Sequence, residues 1–125
     1  MTIKIKIEIN EVIAVTESDS SFKLDFFFYQ IWTDDRLNTD FSSSQLVLSS
    51  LWSMILWIPD IYFHNGIAVS TLTIINPIDY LIVDKNKTIT RVTRMTGQFE
   101  CTMALANYPQ DTQFCSIEIV SRKYI

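Results

Sequence analysis

Phe22, Leu24, Phe26 and Phe28 alternate with Lys23 and Asp25, and this period of two commits the segment to a β-strand with one face on a core. The same parity places Phe27 and Tyr29 beside Lys23 and Asp25, so two aromatic rings are expected on the otherwise polar face. Packing beneath a neighbouring loop and a ligand-contacting surface explain that pattern equally well. Ile3, Ile5, Ile7 and Ile9 alternate in the same way from Thr2 to Asn10, which reads as a second half-buried strand.

Further strands are expected around Leu46 to Leu48, Thr71 to Ile74, Tyr80 to Val83, Thr88 to Thr96 and Phe114 to Val120. Ser42-Ser43-Ser44, Asn65-Gly66 and Asn76-Pro77 supply turns between them. Many short strands with little helical periodicity predict an all-β fold, a sandwich or barrel. The chain has 125 residues and is 48% hydrophobic, enough for a single domain with a real core. Its two glycines are few for such a fold, so Asn and Asp must carry several turns.

Cys101 and Cys115 are the only cysteines, with thirteen residues between them in CTMALANYPQDTQFC. A bridge would close a short ring holding a Tyr108-Pro109 corner and Asp111, and it would remove about 3 kcal/mol of unfolded-chain entropy on the simple chain-entropy argument. The alternative is a pair of free buried thiols, usual in the cytosol. Asn86-Lys87-Thr88 is an N-glycosylation sequon in a polar stretch from Val83 to Lys87 that reads as a hairpin turn, and it favours an oxidising, extracellular setting.

The net charge of −4, without a basic run, gives nucleic-acid binding no electrostatic support. One histidine, His64, and carboxylates such as Asp34, Asp35, Asp60 and Asp111 scattered through turns nominate no catalytic pair; nor is there a phosphate cradle or a cluster at metal-ligand spacing. No enzyme activity, cofactor or metal is expected. The apolar stretch from Leu46 to Ile58 has thirteen residues, too few to span a bilayer as a helix, and the N-terminus lacks the apolar block of an export signal.

With its enclosed Tyr108-Pro109-x-Asp111, the Cys101 to Cys115 segment resembles the signature loop of the pentameric Cys-loop ligand-gated ion channels. Trp32-Thr33-Asp34-Asp35-Arg36-Leu37 resembles the family's W-x-D-x-R-L, and Trp57-Ile58-Pro59-Asp60 its W-x-P-D. Tyr62-Phe63-His64-Asn65-Gly66 and the approach from Arg94 to Met103 are most similar to alpha-type subunits of GABA type A receptors, in the anion-channel branch. The similarity runs from about Phe22 to Ile119.

The resemblance implies an Ig-like β-sandwich, the extracellular ligand-binding domain of a channel subunit, with the disulfide formed between Cys101 and Cys115. Five subunits, identical or mixed, would bind a small-molecule neurotransmitter between neighbours at the plasma membrane, as on a postsynaptic cell. Phe27, Tyr29, Arg94 and Thr96 fall at ligand-contacting positions of the complementary face. Tyr62, His64 and Ser121 fall in principal-face loops, and His64 matches the position that shapes a modulatory site. Tyr108, Pro109 and Asp111 would couple binding to pore opening, and Asn86 would carry a glycan.

Two positions depart from the family. Tyr29 stands where GABA and glutamate channels typically carry a carboxylate-binding arginine, and Val120-Ser121-Arg122 replaces an acid-Ser-aromatic triplet. The resemblance also places the last sandwich strands and four membrane helices beyond Ile125, so residues 1–125 read as a C-terminally truncated, partial extracellular domain. A soluble pentameric ligand-binding protein of the same fold and a nonfunctional fragment are the alternatives. An adhesive Ig-like domain fits less well, because its bridge joins two sheets, whereas this one closes a local loop.

Overall fold

The computed structural model describes residues 2–16, 18, 20–37, 42–71, 78–101 and 115–121. Two strands of thirteen residues each form its spine: β2, Ser21–Thr33, and β7, Thr88–Glu100. They pair antiparallel along their whole length, from Ser21 opposite Glu100 to Thr33 opposite Thr88. Both are rich in β-branched and aromatic residues, which suit a pleated, half-buried surface.

Around this pair the remaining strands assemble in the order β1-β2-β7-β6-β3, with β5 also pairing to β7. These are β1, Lys4–Thr16, β3, Gln45–Ser49, β5, Gly66–Thr71, and β6, Asp79–Asp84. A two-stranded ribbon of β4, Ile61–Phe63, and β8, Ile119–Ser121, makes the second layer. All-β sandwich architecture therefore agrees with the expectation from the sequence.

The even positions of β2 face the ribbon. Phe22, Leu24, Phe26, Phe28 and Phe99 are buried and pack with Ile61, Phe63, Ile117 and Ile119 from the second layer. The Phe63 ring lies 5.9 Å from Phe26, 5.2 Å from Phe28 and 5.6 Å from Phe99, in tilted or edge-on contacts that favour aromatic clusters. Gly97 permits this packing, because a Cβ there would come within 3.1 Å of the Phe99 ring and 3.0 Å of Val69. Farther along the spine, Trp32, Leu81, Val83 and Ile89 form a second apolar cluster, joined by Leu37, Leu48, Leu56 and Trp57. Between the clusters the inward face turns polar. Arg91 pairs with Asp79 at 3.2 Å, and the Thr93 hydroxyl donates to the same carboxylate.

Several boundaries differ from the sequence reading. β1 continues to Thr16, past Asn10, by absorbing register shifts between Ile9 and Glu11 and between Val12 and Ala14. A strand at Gly66–Thr71, paired to β7 from Gly66 opposite Phe99, begins before the one expected at Thr71 to Ile74; of that expectation only Thr71 can be placed, because residues 72–77 lie outside the described set. Of the strand expected from Phe114 to Val120, only Ile119 and Val120 are strand, in β8, which runs one residue further to Ser121; residues 115–118 are not strand, and Phe114 lies outside the described residues. A 3₁₀ turn at Ser50–Met54 and the short β4 carried no periodicity long enough to be read.

Cys101 and Cys115 are bridged, with Cα atoms 5.5 Å apart, within the usual disulfide range. This settles the choice between bridge and free thiols. Tyr108, Pro109 and Asp111 lie outside the described residues.

Candidate functional site

The odd positions of β2 and the even positions of β7 share the face turned away from the ribbon, because antiparallel pairing sets Asp25 against Thr96, Phe27 against Arg94 and Tyr29 against Val92. Phe27, Tyr29, Arg94 and Thr96, the four residues expected on the complementary face, are therefore brought together on two adjacent strands. The Phe27 and Tyr29 ring centroids are 6.4 Å apart. Both rings are half-buried, as the parity of β2 predicts.

Ion pairing sets the charge of this face. Arg94 makes a two-pronged contact with Asp25, Nε to Oδ1 at 3.2 Å and Nη2 to Oδ2 at 2.8 Å, and its guanidinium lies 5.9 Å from the Phe27 ring centroid. Hydrogen bonds from Arg94 hold the Asp25 carboxyl below the usual carboxylate range, outweighing the burial that opposes this. Arg94 is thus engaged with its own chain and is no freely solvated strand residue. From β1, Lys6 places its ammonium 5.2 Å from the Tyr29 ring centroid, and the Tyr29 hydroxyl donates to Glu8 Oε2 at 3.5 Å. Burial, with the Glu8 charge beside it, pushes the Tyr29 phenol above its ordinary pKa. The surface that results sets two half-buried aromatic rings among charges engaged within the chain.

The residues expected on the principal face lie on the other layer. Tyr62 and His64 sit on the same side of the β4 ribbon, rings edge-on at 6.4 Å. Ser121 is opposite Ile61 in the β4–β8 register, while Val120 is opposite Tyr62, so Ser121 lies across the pleat from Tyr62 and His64. Tyr62 also lines an interlayer cavity of about 390 Å³ with Phe28, Gln30, Arg91, Thr93 and Met95. The two groups of expected ligand-contacting residues thus occupy different layers of the same chain.

One structural residue escaped the sequence reading. The Asn65 side chain donates to the carbonyl oxygens of Glu100 at 3.0 Å and Ser116 at 2.6 Å, and accepts from the Glu118 amide at 2.8 Å. Its backbone oxygen accepts from the Glu100 amide, and the His64 amide donates to Glu118. A single amide thereby joins the turn after Tyr62 and His64 to both ends of the disulfide ring. From the sequence, Asn65-Gly66 reads as a turn and as part of the alpha-type segment, and its bracing role is not visible there, since its partners are 35 and 51 residues away.

Among the described residues, no helix is long and apolar enough to cross a membrane, and no group of three or more His, Cys, Asp or Glu side chains is placed to hold a metal.

Residues 1–125 match the family described as the neurotransmitter-gated ion-channel ligand binding domain. The chain is similar to gamma-aminobutyric acid receptor subunit alpha-3 of Homo sapiens, 33% identical over 110 residues, covering 88% of this chain and 22% of that protein. It is 31% identical over 123 residues to the gamma-aminobutyric acid receptor alpha-like protein of Drosophila melanogaster, covering 98% of this chain and 18% of the relative. Against gamma-aminobutyric acid receptor subunit alpha-2 of Mus musculus it is 32% identical over 110 residues, or 88% and 24% of the two chains. It spans about a fifth of the length of these relatives.

Proposed function

Since the chain belongs to the neurotransmitter-gated ion-channel ligand binding domain family, a family of receptors and not of enzymes, we propose that residues 1–125 form part of the extracellular domain of a subunit that binds gamma-aminobutyric acid between neighbours in a pentamer at the plasma membrane. The observation that carries this reading is the convergence of Phe27, Tyr29, Arg94 and Thr96 on one face of β2 and β7. Placement of Tyr62 and His64 on the other layer supports a site shared by two chains, because one chain offers the halves on separate faces.

Within that site, Phe27 and Tyr29 supply aromatic surface for the ammonium, and the Thr96 hydroxyl donates to the carboxylate. Arg94 contributes indirectly. Committed to Asp25 and lying 5.9 Å from the Phe27 ring centroid, it leaves only part of its charge for the ligand. Binding is relayed to an anion-selective pore through the Cys101–Cys115 ring, with Asp111 at the coupling contact. Tyr62 and His64 form the adjoining principal half, and Ser121, on the opposite face of the ribbon, does not join them.

The test is the current evoked by gamma-aminobutyric acid through channels of the complete subunit. Thr96→Ala should raise the half-maximal concentration at least tenfold and Thr96→Ser should largely restore it, while Asp111→Asn should lower the maximal response more than the apparent affinity. Unchanged responses in both Thr96→Ala and Asp111→Asn would overturn the reading.

A further inference from the structure

The β6–β7 hairpin presents Asn86 at its exposed tip. Asp84 builds the turn: its Oδ1 accepts from the Asn86 amide at 2.9 Å and the Thr88 amide at 3.1 Å, while its carbonyl accepts from the Lys87 amide at 3.2 Å. Lys87 takes a left-handed conformation, φ 63°, and closes the turn. The base is also anchored sideways, since Asp34 donates its amide to the Lys87 carbonyl at 3.0 Å and Lys87 Nζ donates to the Asp35 carbonyl at 3.2 Å. The turn is thus held by its backbone and by Asp84, and the Asn86 side-chain amide makes no hydrogen bond among the described residues.

We propose that Asn86 carries an N-linked glycan. Asn86-Lys87-Thr88 is the only Asn-x-Ser/Thr sequence with a non-proline centre in the chain. In the transfer, Asn86 Nδ2 forms a bond to C1 of a lipid-diphosphate-linked oligosaccharide, the C1–O bond to phosphate breaks, the lipid diphosphate departs, and the amide loses one proton. Nothing in the fold opposes the product. Asn86 is exposed and belongs to neither apolar cluster, as a bulky, solubilising surface group requires.

The glycan is also remote from the other functional elements. Along β7, Thr88 precedes Arg94 by about 20 Å and Cys101 by about 43 Å at strand rise, so the sugar leaves the Phe27 face and the disulfide ring open. It does stand beside β3, the edge strand of the large sheet, where Gln45 is opposite Asp84 and Leu46 opposite Val83. Leu46 and Val47 are 39% and 65% exposed there. An exposed apolar edge invites pairing with another chain, and a hydrophilic polymer next to it hinders that approach.

The full chain, directed into the secretory pathway of a eukaryotic cell, tests this by intact mass before and after peptide N-glycosidase. The expected result is a glycan-sized addition mapped to Asn86, removed by the enzyme, absent from Asn86→Gln and Thr88→Ala, and retained by Thr88→Ser. Glycan transfer precedes folding, so a poorly folding variant still reports. An unmodified mass in wild-type chain whose Cys101–Cys115 bridge has formed would overturn the proposal, because that bridge records passage through the oxidising compartment. Sedimentation then tests the edge: deglycosylated chain should self-associate at lower concentration than glycosylated chain, and identical behaviour would refute the shielding role.

Discussion

The outer face of β2 and β7 and the junction around the disulfide ring are held in contrasting ways. Strand register builds the first: thirteen paired positions fix Phe27, Tyr29, Arg94 and Thr96, and no single side chain sets the geometry. At the second, the β4–β8 ribbon has three paired positions, and its link to the ring rests on one disulfide, the Asn65 side-chain amide and the backbone hydrogen bonds that join His64 to Glu118 and Asn65 to Glu100. A face of the first kind tolerates substitution of its side chains, because the ladder persists. A junction of the second kind transmits displacement, because few bonds define it.

The aromatic cluster is common to both regions and gives the largest expected effect. Phe99→Ala should cost about 3–5 kcal/mol, since Phe99 is fully buried and touches Phe22, Phe26 and Phe63; urea denaturation of the secreted chain measures it. Cys101→Ser should come next, at about 3 kcal/mol, and hydrogen exchange should localise the loss to the ribbon and ring. If the β2–β7 amides lost protection equally, the two regions would be one cooperative unit and the comparison would fail.

A smaller effect separates the regions more sharply. Asn65→Ala should cost about 1 kcal/mol and raise exchange at the Glu118 amide, which donates to the Asn65 side chain. Protection at Phe27 and Arg94 should stay as it is. The smallest effect concerns the outer face alone. Because the folded-state pKa of Asp25 is depressed below its ordinary 3.8, the stability it contributes is fully present above that value and is lost as pH falls through the lower folded value. Asp25→Asn should therefore flatten the acid limb of the stability–pH curve, with little change near neutrality in that slope.

Much of the outer face was legible in the sequence, since parity is local: Phe22 to Phe28 declare which side of β2 is buried, and Phe27 and Tyr29 follow. The ion pair between Asp25 and Arg94 was not, because its members are 69 residues apart and meet only through register. Asn65 was hidden for the same reason, its amide serving partners brought near by the disulfide. Boundaries failed where pairing, and not composition, decides the strand: β1 runs on through its register shifts, and β8 is set by three partners in β4. Spacing alone left the cysteine pair two readings; the resemblance implied the bridge, and the bridge is formed.

The outer face of β2 and β7 is proposed above as half of a transmitter site. Equilibrium binding of gamma-aminobutyric acid to pentamers of the complete subunit, compared between the native sequence and Phe27→Ala, addresses it most directly. At least a tenfold loss of affinity is expected, with the same number of assembled pentamers. Equal affinity in the two proteins would contradict it.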